Sequence, residues 1–214
     1  MQPAYFGQGM FLCKLGIPNL ARRNPDDAAH LAASLDKVES EAGRMSSLVE
    51  DLLLLARLDS GRPLLRDQVD LTHVLLDVVD DARLLGPDHH WRLSLPDEPI
   101  EVPGDADRLR QVVTNLLNNA RSHTPPGTTV TVTATAHADQ VEVAVHDDGP
   151  GLPPALVESA FERFTRGDSA RARTSGGAGL GLSLVEAITQ AHGGTATVRS
   201  APGDTVVRLT LPSV

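Results

Sequence analysis

Cysteine is nearly missing from this chain: Cys13 stands alone among 214 residues, so no disulfide can close within it, and a reducing compartment is the expectation. Aromatic side chains are scarce as well, at 3%, so Leu, Val and Ala must fill the core of a chain whose 41% hydrophobic share is ordinary for a globular protein. Lysine is reduced to Lys14 and Lys37 among nineteen basic residues, and twenty-eight acids bring the formal charge to −9. That balance argues against a general nucleic-acid binder, whose affinity rests on clustered Lys and Arg, but leaves room for one local basic pocket for a small anion. No apolar run approaches the ~20 residues of a membrane span; the longest is Leu52–Ala56, inside a helical pattern. The opening, Met1 to Leu20, lacks the basic-then-apolar order of a secretion signal. A cytoplasmic chain with no direct membrane span is expected, any membrane association coming through a partner.

What is present divides into two regions, 1–60 and 61–214. Leu31, Leu35, Val38, Ala42, Met45, Val49, Leu52 and Ala56 recur in alternating steps of four and three, which predicts a helix over about 26–58 with a heptad seam. Leu48, Leu53 and Leu55 widen its stripe, as in a helix bundle. Asp26 or Asp27 can cap its start, and Ser60-Gly61-Arg62-Pro63 ends it. Beyond lies a mixture: a second helix from Val69 to Leu85, short strands at Trp91–Leu95 and Ile100–Val102, and a helix over about 105–122. A hairpin of Thr129–Ala134 with Gln140–His146, an irregular Gly- and Arg-rich stretch over 149–179, a helix at Gly181–Ala191 and two closing strands follow. Helices with mainly antiparallel strands predict an α+β fold, a two-layer α/β sandwich preceded by the long heptad helix.

Three features carry chemistry. Asn115 and Asn119, at i and i+4, share one face of a helix whose apolar stripe is Leu109, Val112, Val113, Leu116, Leu117 and Ala120. Two amides there either face solvent or partner a cation carrying phosphates. Asp147-Asp-Gly-Pro-Gly151 ends a strand on a carboxylate, with Gly149 and Gly151 allowing a tight turn against a ligand. It is either an acidic turn or an acceptor for an exocyclic amine such as adenine's. Gly177-Ala-Gly-Leu-Gly181 opens directly into an apolar helix, as either a flexible link or an anion site of backbone N–H groups. It lacks the Lys of a Walker loop and does not follow a strand, so neither a P-loop nor a Rossmann site fits.

In this order, at intervals of about thirty residues, the three resemble the catalytic region of bacterial two-component sensor histidine kinases. Asn115-Leu-Leu-Asn-Asn-Ala-Arg-Ser-His-Thr-Pro125 resembles the family's N box, and Asp147–Gly151 and Gly177–Gly181 its glycine boxes. Phe161-Glu-Arg-Phe-Thr-Arg166 resembles the phenylalanine box of the nucleotide lid, and Met45–Asp59 the end of the dimerisation helix. The resemblance implies the histidine-kinase/gyrase-type ATPase fold, with ATP and Mg²⁺ as cofactors. It implies Asn119 as the Mg²⁺ ligand, Asn115 as orienting the phosphates, and Asp147 as reading the adenine amine beside Gly149 and Gly151. Phe161, Gly177, Gly179, Leu180 and Gly181 fall to the lid and phosphate cradle, with Arg163 and Arg166 neutralising phosphate charge. Related ATPases carry Glu at position 115 as a base for water; an amide cannot take a proton at neutral pH, so hydrolysis is expected to be slow.

Two departures stand out. Ser122 occupies a position that is often basic in the family, and the stretch Tyr5–Gly16 shows no acceptor His followed by an acid. The only His followed by an acid is His146, within the Asp147 strand. The expectation is therefore an ATP-binding catalytic component unable to phosphorylate itself, passing the γ-phosphate to a His on a separate dimerisation protein and thence to a response-regulator Asp. A nucleotide-binding regulator without phosphotransfer is the alternative; a monomer and a helix-bundle dimer both stay open.

Overall fold

The computed structural model describes residues 25–61, 64–165 and 178–213, the side chains of 25–29 and 32 excepted. Two compact units divide the chain after Glu50. Helix α1 runs Pro25–Asp59, close to the heptad prediction. Its seam is exposed: Val38, Met45, Val49 and Leu52 all face solvent, as does neighbouring Leu53. No helix among the described residues is long and apolar enough to cross a membrane.

In the second unit, β1 (Asp67–Asp70) pairs antiparallel with β3 (Glu101–Gly104), a small sheet of its own. Here the sequence reading needs correction, because Val69 belongs to this strand and helix α2 spans Leu71–Leu85. The physical reason is a cap: the Asp70 carboxylate accepts the His73 N–H at 2.9 Å, which fixes the helix start two residues later than periodicity suggested. β2 (His90–Ser94), β4 (Thr129–Ala136), β5 (Gln140–Asp147), β6 (Thr195–Ala201) and β7 (Asp204–Pro212) form one sheet in the order β2-β4-β5-β7-β6. β2 lies parallel to β4, and every other pair in the sheet is antiparallel.

Helix α3 (Ala106–His123) packs between α2 and α5 (Gly181–Ala191), and these helices cover one sheet face. The six stripe residues from Leu109 to Ala120 are the buried ones of α3. Val130 and Val132 of β4, Val141, Val143 and Val145 of β5, and Leu184 and Ile188 of α5 are buried with them in the core. Alternate residues of a strand point to one face, which is why the valines, at every second position of β4 and β5, are all sealed. The α+β two-layer expectation holds. A short helix, α4 (Pro154–Glu158), interrupts the stretch read as wholly irregular.

His192 joins two helix ends. Its buried ring donates from Nδ1 to Ile188 O at 2.7 Å and accepts at Nε2 from the Asp105 N–H at 3.0 Å, which assigns a neutral tautomer. Asp105 in turn caps α3 by accepting from Arg108 N at 3.2 Å. The base of α3 is thus fixed to the end of α5, so the opposite ends of these two helices hold a defined spacing.

Candidate functional site

Helix α3 is the spine of the site. Asn115 and Asn119 stand one turn apart on it. The Asn115 Nδ2 is buried and has no hydrogen-bond partner within the described protein. Buried amides are rarely left so, and the pairing that α3 denies it is available to a ligand oxygen. Asn119 points its Oδ1 at the start of α5: a Cβ on Gly181 would stand 3.8 Å from that oxygen. Five residues beyond Asn119, about 7.5 Å along the axis, α3 ends at Thr124. There the Thr124 Cγ2 lies only 2.6 Å from where a Cβ of Gly149 would be. One helix therefore touches both glycine motifs, which lie about thirty residues apart in sequence.

The start of α5 differs from those of α2 and α3. Both of those begin on an Asp cap, whereas Leu180 supplies no side-chain cap and no acid occupies the first turn of α5. Among the described residues no side chain accepts from its first N–H groups, which stand beside Asn119 at the positive end of the helix dipole. An anion fits such a place. Leu180 itself is buried. Just before, Gly179 adopts φ +75, where a Cβ would come within 2.8 Å of the Thr165 carbonyl oxygen. Its own carbonyl accepts the Phe164 N–H at 2.9 Å, and Phe164 is an exposed residue at φ 65. A left-handed, solvent-facing Phe is strained, and strain of this kind collects at functional loops.

At the other glycine motif, Asp147 ends β5 half-buried, and its Oδ1 accepts the Gly149 N–H at 3.1 Å. Burial pushes its carboxyl above the ordinary value of 3.8, against the lowering effect of that hydrogen bond and of His146. The neighbouring Asp148 goes the other way: its Oδ1 accepts the Thr129 N–H at 2.7 Å, which lowers its pKa. Of the two adjacent acids, one is tied to the sheet and the other is the partly desolvated acceptor.

The remaining expected residues are dispersed. Phe161 is half-buried on the segment after α4. Arg163 does not stand free for a phosphate: its Nη2 bonds both Asp59 carboxylate oxygens, at 2.8 and 2.7 Å. Arg166 and Gly177 lie outside the described residues. Thr124 was not singled out from sequence, although its place just after an amphipathic helix and before Pro125-Pro126-Gly127 is a helix-end signal. Its Oγ1 donates to Ala120 O at 2.7 Å and lies 3.0 Å from Nε2 of buried His89. Among the described residues no group of three or more His, Cys, Asp or Glu could hold a metal. A divalent ion here would rest on the Asn119 amide oxygen together with ligand oxygens and water, a donor set that suits Mg²⁺.

Residues 104–214 match the family model for histidine kinase-, DNA gyrase B-, and HSP90-like ATPases. The probable sensor histidine kinase TcrY of Mycobacterium tuberculosis (strain ATCC 25618 / H37Rv) is 53% identical over 197 residues, 92% of this chain and 42% of the relative. The solved structure of the mycobacterial sensor histidine kinase MprB superposes with a TM-score of 0.62 at 33% identity, covering 69% of this chain and 98% of that one. The ATP-binding domain of PrrB from Mycobacterium tuberculosis gives a TM-score of 0.57 at 31% identity, covering 70% and 98%. The fold is thus that of a two-layer α/β ATPase domain. The chain belongs to the histidine kinase-, DNA gyrase B- and HSP90-like ATPase family, as the ATP-binding region of a sensor histidine kinase. It spans about two fifths of the length of the curated relative TcrY.

Proposed function

We propose that this chain binds Mg-ATP along α3 and delivers the γ-phosphoryl group to a histidine. The observation that carries the reading is the double contact of one helix, Asn119 at the uncapped start of α5 and Thr124 against the Gly149 turn. It offers phosphate chemistry at one point and a base-reading carboxylate beside the other, about a nucleoside's length away. Asp147 accepts the exocyclic amine of adenine. Asn115 donates its unpartnered amide N–H to a phosphate oxygen, and the first N–H groups of α5 with Gly179 and Gly181 cradle the outer phosphates. Arg166 and, once released from Asp59, Arg163 neutralise their charge. Asn119 holds Mg²⁺, which when bound offsets the negative charge that phosphoryl transfer must accommodate. The PrrB domain, 31% identical, is described as ATP-binding, which supports the nucleotide.

In the transfer, an imidazole nitrogen forms a bond to the γ-phosphorus while the bond to the bridging oxygen breaks and ADP leaves. Asn115 cannot act as a base toward water, so the phosphoryl group is kept for a protein acceptor. Four of the chain's eight histidines are poorly placed to receive it. His89 and His192 are buried, His146 lies in β5 beside Asp147, and His30 is followed by Leu31. The acceptor is a histidine outside these residues, on a partner polypeptide whose helices cover the exposed seam of α1, and it passes the group to an Asp of a response regulator. The site works in the cytoplasm. ATP labelled on its γ-phosphate tests this: label is expected on a His-bearing dimerisation protein mixed with this chain and not on the chain alone. ATP binding with every such acceptor unlabelled would instead identify a nucleotide-binding regulator.

A further inference from the structure

The turn from Asp147 to Leu152 has little structure of its own. Its one internal side-chain bond is Gly149 N–H to Asp147 Oδ1, so the carboxylate and the turn move as one piece. What fixes that piece is the β6–β7 hairpin behind it. Thr205 stands opposite Asp147 in the ladder. Gly203 N–H donates to Gly149 O at 2.7 Å. Gly151, at φ +81, is pressed so closely on the hairpin that a Cβ would lie 2.8 Å from the Ala201 carbonyl carbon and oxygen. The Leu152 N–H donates to Ser200 Oγ at 2.7 Å, and Ser200 Oγ is held at 2.8 Å from the Oγ1 of buried Thr205. From the other side, the Thr124 methyl fills the space a Gly149 side chain would need. The turn is wedged, and among the hairpin's hydrogen bonds to it only the Ser200 bond uses a side chain.

We propose that Ser200 is a positioning residue for base recognition: its hydroxyl, braced on Thr205, sets where the Asp147 carboxylate stands against the purine. Guanine presents a carbonyl oxygen where adenine presents an amine, so a correctly held carboxylate favours the one and repels the other. A loosened carboxylate does less of both. This rests on the reading of Asp147 as the adenine acceptor and adds the residue that makes its discrimination sharp.

The full chain and its Ser200→Ala and Ser200→Thr variants, titrated with ATP and with GTP in Mg²⁺, test the proposal. Ser200→Ala is expected to reduce the preference for ATP over GTP by about three- to tenfold, the worth of one hydrogen bond. Ser200→Thr, which keeps the hydroxyl, is expected to retain the preference, and Thr205→Val, which removes the brace at constant shape, to reproduce the loss. A purely structural serine would lower the melting temperature, or weaken ATP and GTP in equal proportion, and either result with the preference intact overturns the proposal. Wild-type chain that takes up no ATP overturns the nucleotide reading with it; wild-type chain that binds ATP while Ser200→Ala keeps the full preference overturns the role of Ser200 alone.

Discussion

Arg163 gives one guanidinium nitrogen to both oxygens of Asp59, at 2.8 and 2.7 Å, tying the segment before residue 166 to the end of α1. Both side chains are about half exposed, at 44% and 52%, so the pair adds under about 1 kcal/mol to stability. Its weight is positional. Asp59→Asn is expected to leave the melting temperature within a few degrees and to tighten ATP binding two- to fivefold by releasing a cation for the phosphates. Arg163→Ala is expected to weaken ATP binding. Calorimetric titration of the two variants checks both; tightening by Arg163→Ala would contradict the phosphate role.

Asn119 and Gly181 form the second test. Asn119→Ala is expected to weaken Mg-ATP at least tenfold while barely affecting adenosine, which has no phosphates. Gly181→Ala separates site from fold. Alanine suits a helix better than glycine by up to about 1 kcal/mol, and among the described residues its methyl would meet only the Asn119 oxygen, at an ordinary contact distance of 3.8 Å. A melting temperature unchanged or raised, with Mg-ATP weakened, is the expected pair of results, read by thermal melt and titration.

Asp147 carries a pH dependence of definite sign. Its folded carboxyl titrates above 3.8, chiefly because of burial. The folded state therefore holds the proton longer than the unfolded state as pH rises from 3.8 to the raised value. Stability falls across that window, and the loss persists above it. Asp147→Asn removes the penalty, so its melting temperature should exceed that of the wild type at neutral pH, the gap closing toward acid. ATP affinity should fall in the same variant. Paired melts across pH check the sign; a variant less stable than wild type at pH 7 would refute it.

Thr124 has two faces that can be tested apart. Its hydroxyl serves His89 and Ala120 O, while its methyl supports Gly149. His89 already carries one buried ring nitrogen, Nδ1, without a partner. Thr124→Val would leave the second unpaired as well, at about 1–3 kcal/mol, with ATP binding little changed. Thr124→Ser keeps the hydroxyl and removes the methyl, so it should cost little stability and weaken ATP. Urea unfolding alongside nucleotide titration distinguishes them.

Much of this was legible along the chain because it depends on neighbours in sequence. The α3 stripe from Leu109 to Ala120, the helix opening at Gly181 and the strand ending on Asp147 are local patterns of period and turn chemistry. β1 was missed because Asp67–Asp70 is a strand only by pairing with Glu101–Gly104, more than thirty residues away. The parallel alignment of β2 with β4 is equally non-local. Arg163 could be placed near a lid from sequence, yet nothing in its surroundings there named Asp59.

The sequence by itself determined which residue types stand ready: amides on one helix face, a carboxylate at a strand end, glycines before a helix. Their spacing is set by the fixed geometry of helix and strand, which needs no distant partner. Only the tertiary structure decided that α3 meets both glycine motifs, that a hairpin near the C-terminus braces the Asp147 turn, and that one arginine is held by an acid. Those contacts join segments far apart in sequence, and which pairs form is selected by packing over the whole core rather than by local preference.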